Sequence, residues 1–183
     1  MKNIVLSMIA FAFLFIGCNQ KTAVIETKSE TETGKVVSSL LDINEVVANY
    51  LKLTNALAKD DSKTAADVAE ILFVTLNTLN TDKLDTKGKK EYAEIADAIV
   101  VHLKHISDNS TDIGHQREYF ALVSKEVNDL IKTFGTDHKL YQAYCPMYDE
   151  GKSGYWISET EEIRNPYFGS KMLNCGSIVA TVK

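Results

Sequence analysis

Across residues 40–134 the apolar side chains return every three or four positions, and no other feature of the chain restricts its fold as much. Side chains at those steps share one face of an α-helix. The first stripe holds Leu40, Ile43, Val47, Tyr50, Thr54 and Leu57. The second runs through Ala65, Val68, Leu72, Leu76 and Leu79, behind Asp61 or Ser62 as N-cap. A third, over 89–108, holds Tyr92, Ile95, Ile99, Leu103 and Ile106. The fourth, over 112–134, holds Ile113, Gln116, Phe120, Val123, Val127, Leu130 and Phe134, and Gly135 is placed to stop it. Four amphipathic helices with short connections bury their stripes as an antiparallel four-helix bundle over 36–135. A chain of 183 residues, 45% hydrophobic and 25% charged, supports one such core.

After Gly135 the pattern changes. Short apolar runs at 140–145, 155–157 and 177–182 read as strands, the first two joined across the turn DEGKSG. Asn165 before Pro166 suits an N-cap followed by proline at the first helical position, which predicts a short helix over 166–173. Residues 136–183 are therefore expected as a small α+β appendage that packs on the bundle and belongs to the same domain.

The chain opens MKNIVLSMIAFAFLFIGCNQ, with one cation at Lys2, an apolar run over 4–16, then Gly17 and Cys18. That run is too short for a permanent bilayer span, and a small residue before a cysteine is a processing signal. The segment resembles a bacterial lipoprotein signal peptide over 1–17, which makes Cys18 the acylated first residue of an exported protein on a flexible tether, 18–35. The expected location is the periplasmic face of a bacterial membrane, the outer one. The net charge of −5 becomes −6 once Lys2 is removed. With no basic run, that balance argues against a nucleic-acid partner and against docking on anionic headgroups.

Beyond that signal, the chain keeps two methionines and two further cysteines, all in the tail: Cys145, Met147, Met172 and Cys175. An even cysteine pair in an oxidising compartment reads first as a disulfide. Residues two apart on a strand share a face, which pairs the sulfurs of Cys145 and Met147, and residues three apart on a helix are neighbours, which pairs Met172 with Cys175. Four converging sulfurs would select Cu(I) or a similarly soft ion. On spacing alone the cross-link and the metal site both stand, and the methionines could equally fill gaps in an irregular core.

YCPM at 144–147, YW at 155–156 and IRNPYFGSKMLNCG at 163–176, with HISDNSTDIGHQREYFALVS at 105–124, resemble domain-of-unknown-function family 3347. That family occurs in lipoproteins of Bacteroidetes-type bacteria and as an extra domain on periplasmic adaptors of heavy-metal efflux pumps. The resemblance implies copper or another thiophilic metal, with efflux components as partners. A weaker similarity links the tail to the short heavy-metal-binding motif YxCPM with a later CGM. Here Met172 precedes the second cysteine, and Tyr148 stands where that motif has histidine. His115 lies in an element that recurs in the family and is the candidate for an additional ligand beside the sulfurs.

His102 and His105 fall off the apolar stripe of their helix and read as surface histidines; His138 sits in a loop. Gln116, on the stripe, and Arg117, on its flank, are expected to anchor the tail by hydrogen bonds. No GxSxG, HExxH, CxxCH or phosphate-binding glycine loop occurs, so no enzyme is expected.

Overall fold

A computed structural model describes residues 41–152 and 154–182. The signal peptide, Cys18 and the tether fall outside the described residues. Four helices come first: α1 (Asn44–Ala58), α2 (Ser62–Thr78), α3 (Thr86–Ser107) and α4 (Ile113–Phe134). Among the described residues none is long and apolar enough to cross a membrane. Aspartates start three of them. Asp61 accepts from Thr64 N, Asp85 from Gly88 N and Asp112 from His115 N, each cap contributing about 1 kcal/mol. The Asp85 cap begins α3 three residues before the expected start. Gly135 ends α4 as expected, its N–H bonding Ile131 O at 2.7 Å.

Consecutive helices make the closest packing, α1 on α2, α2 on α3 and α3 on α4. Their stripes bury Val47, Tyr50, Leu57, Leu72, Ile99, Leu103, Phe120 and Leu130 in one core. Gln116 lies inside it, fully buried, and Nε2 donates to Ser62 O at 2.9 Å and Ile106 O at 3.1 Å. It therefore ties α4 to the start of α2 and the end of α3. The expectation that it anchors the tail is corrected: a stripe residue points between helices.

Three antiparallel strands follow, β1 (Leu140–Tyr144), β2 (Tyr155–Ser158) and β3 (Ser177–Val182), in the order β2-β1-β3. The sheet docks on the helices through β2, where Trp156 and Ile157 are buried and Ile157 N donates to Tyr50 OH at 3.1 Å. That hydroxyl also meets Ser124 Oγ at 2.9 Å.

The expected helix over 166–173 is replaced by turns and one 3-10 segment, Gly169–Lys171. Its capping chemistry is nevertheless present: Asn165 Oδ1 accepts from Tyr167 N at 2.8 Å and Phe168 N at 3.2 Å. Propagation stops at Gly169, whose φ of +55° is left-handed. A Cβ there would sit 2.1 Å from Asp60 Oδ1 and 2.5 Å from an Arg117 terminal nitrogen. Docking onto the α1–α2 turn and α4 therefore overrides the local helical signal, and only glycine accepts the resulting backbone at low cost.

Candidate metal centre

Register brings the two cysteines together. Tyr144, the last residue of β1, stands opposite Ser177, the first of β3, so the residues just after β1 and just before β3 meet at the same end of the sheet. Cys145 Sγ and Cys175 Sγ lie 3.4 Å apart, both as free thiols. Cys145 is wholly buried and Cys175 half-buried. Their hydrogen bond, followed by desolvation, pushes the Cys175 thiol up.

The surroundings hold both backbones in place. Cys145 N donates to Gly154 O at 2.8 Å, and a Cβ on Gly154 would lie 2.3 Å from Cys145 O, so the strands approach this closely only with glycine there. Asn165, wholly buried, donates from Nδ2 to Cys175 O at 2.7 Å. Tyr167 stacks on Tyr148 at 4.1 Å, meets Trp156 edge-on at 6.0 Å, and donates its hydroxyl to Tyr155 O. Aromatic rings thus close the inner side of the site.

The methionines arrive by a different route from the one the spacing suggests. Pro146 ends β1, and Tyr148 N bonds Cys145 O at 3.4 Å across a β-turn. Met147 occupies the third position of that turn, with φ −89° and ψ −14°. The expected extended Cys145–Met147 pair is therefore corrected. Cys145 points into the core, whereas Met147 is 60% exposed. Met172, with φ −149° and ψ 50°, is not helical either. A turn replaces the helix: Cys175 N bonds Met172 O at 3.0 Å, which keeps these two residues close in space. Met172 is half-buried, and neither methionine belongs to the hydrophobic core. Gap filling does not explain them.

His115 is not brought to this site by its packing. Its ring lies 4.8 Å from Tyr119 and 5.8 Å from His105, on the side of α4 that faces α3. Arg117, two residues on and about 200° round the helix, is the residue that faces the tail. Its Nε donates to Pro166 O at 2.8 Å, and a terminal nitrogen reaches Leu57 O at 2.8 Å and Asp60 Oδ1 at 2.7 Å. The anchoring expected of Arg117 is thus present.

Sequence reasoning missed Asp60, which receives Ser170 N at 2.9 Å as well as Arg117. Asp61 accounts for the N-cap, so the preceding aspartate, Asp60, was the signal that something else was needed here. Hydrogen bonding from Ser170, then from Arg117, lowers the Asp60 carboxyl from its ordinary 3.8 to about 2. A depressed folded value stabilises the native state above the unfolded pKa and is lost as pH falls through the folded one. Stability is expected to decline between about pH 4 and pH 2. Acid titration followed by circular dichroism should show Asp60→Asn less sensitive across that window, and an identical slope in the two proteins would refute the assignment.

Two thiolates with bonds of about 2.3 Å to an ion, held 3.4 Å apart, enclose an angle of about 95°. That suits two corners of a three- or four-coordinate site; linear ligation would need the sulfurs further apart. Among the described residues no three His, Cys, Asp or Glu side chains gather closely enough to hold an ion. Any further ligand at the cysteines would come from another class of donor, and the thioethers nearest in sequence are those of Met147 and Met172. Soft donors of this kind fit Cu(I), with Met147 and Met172 the residues available to complete the set.

No curated protein and no solved structure matches the chain. A family of proteins of unknown function, DUF3347, matches residues 46–139, just over half of the sequence. The matched region contains Asp60, His115 and Arg117 and stops before β1, so the cysteines and methionines lie beyond it. On that match, the chain belongs to the DUF3347 family.

Proposed function

We propose that this protein is a lipid-anchored periplasmic metal-binding protein that takes Cu(I), or a similarly soft ion, at Cys145 and Cys175, for buffering or delivery to heavy-metal efflux components. Acylated Cys18 tethers it to the outer membrane. An antiparallel up-and-down arrangement of the four helices carries the site, and no catalysis is involved. The carrying observation is a thiol pair at 3.4 Å with an exposed thioether two residues from the buried thiol. A cross-link has no use for that thioether. In the metal site Met172, kept beside Cys175 by its turn, and Met147, rotated inward from its exposed position, complete the ligand set, and Met147 is the ligand placed to be exchanged with an acceptor's sulfur.

The complete burial of Cys145 favours a second reading. In it, Cys145 and Cys175 form a structural disulfide, and the domain is an interaction module of the envelope without metal. Titrating the reduced full chain with Cu(I) against a chromophoric chelator separates the two. The metal protein takes one equivalent, and Met147→Leu with Met172→Leu weakens binding at least tenfold while the far-ultraviolet spectrum is unchanged. A chain that takes no Cu(I) from the chelator, or a variant that binds as tightly as the wild type, overturns the four-sulfur site.

A further inference from the structure

Three of the protein's four histidines gather around one tyrosine ring, where α3 and α4 face each other. His105 stacks flat on Tyr119, with centroids 3.9 Å apart and an interplanar angle of 7°. Stacking fixes the ring's plane, and its edge, which carries both nitrogens, lies outside the stacked contact. His115 faces it across the helix pair at 5.8 Å. His115 Nε2 is buried from solvent and has no hydrogen-bond partner, and His102 Nδ1 is in the same state. Buried polar atoms without partners are uncommon and call for an explanation.

We propose that His105 and His115 form a second metal site, for a borderline divalent cation such as Zn(II) or Cu(II), separate from the sulfur pair. With bonds of about 2.0–2.1 Å to an imidazole nitrogen, an ion lies about 3.2 Å from each ring centre, so rings 5.8 Å apart bracket it at an angle of about 130°. That angle lies within the range open to two ligands of a distorted tetrahedral centre. Since no three suitable side chains converge among the described residues, water fills the remaining positions. His105 is exposed, so an ion reaches the site from solvent, and His115 Nε2 supplies the lone pair that the fold leaves unused. Neutral imidazole suits Zn(II), Cu(II) and Ni(II), whereas the sulfur pair suits Cu(I). Cu(I) is therefore expected at the sulfur pair alone, whereas Zn(II) can be taken by both sites.

The test uses Zn(II) alone, added to the reduced full chain while the histidine Cε1–H resonances are followed by NMR. The His105 and His115 signals should shift together and saturate at one equivalent beyond any taken by the thiols, with His138 unmoved. His105→Ala, at an exposed position, should weaken the His115 response at least tenfold with unchanged circular dichroism, and Cys145→Ser should leave that response intact. The proposal is overturned if neither signal moves by three equivalents, if His138 follows the same curve, or if His115 responds as strongly in His105→Ala.

Discussion

Replacing Arg117 with alanine is expected to lower stability by about 3 kcal/mol, because its hydrogen bonds to Pro166 O, Leu57 O and Asp60 are lost together, at about 1 kcal/mol each, and Pro166 O loses its donor. Arg117 is only 9% exposed, so water does not simply replace it. At about 2–4 °C per kcal/mol for a domain of this size, the thermal midpoint should fall by about 6–12 °C. Arg117→Lys should recover little, since one ammonium cannot reach three acceptors that diverge as these do. A double-mutant cycle with Asp60→Asn should show coupling, as the pair sits at 2.7 Å. A loss below about 1 kcal/mol would mean that the tail is held on the helices by its aromatic contacts instead.

The helices were legible because burial repeats every turn: most stripe residues from Val47 to Phe134 are buried, and Leu79, Ile95 and Ile113 are half-buried. Strands β1, β2 and β3 were legible from short apolar runs between turn residues. The 166–173 stretch was not, because Asn165 and Pro166 signal a helix start locally while the decisive partners lie far off in the chain, Asp60 109 residues and Arg117 52 residues before Gly169. The Cys145–Met147 pairing failed for a reason already in the sequence. Pro146 cannot continue a strand whose N–H groups are needed, and it turns Met147 outward. Proximity of the cysteines was foreseen as a possibility, but its cause, the Tyr144 and Ser177 register, is a tertiary fact. The histidine cluster was invisible, since His102 and His105 look solvated on their own helix and acquire meaning only when α4 brings His115 and Tyr119 beside them.

Oxidation should produce the largest change in stability. The thiols need to close from 3.4 Å to about 2.05 Å to form a bond. Cross-linking positions 30 apart in sequence restricts the unfolded chain by roughly 3–4 kcal/mol in chain entropy. The oxidised protein should therefore unfold about 6–16 °C above the reduced one, and Cys175→Ser should abolish the difference. Oxidation also consumes both thiolates, so a protein that gains this stability should at the same moment lose any Cu(I) bound at the pair. The two measurements answer different questions. Stabilisation without any Cu(I) binding by the reduced form assigns the pair to architecture; binding that disappears on oxidation and returns on reduction makes the same two sulfurs a site whose occupancy follows the redox state of its compartment.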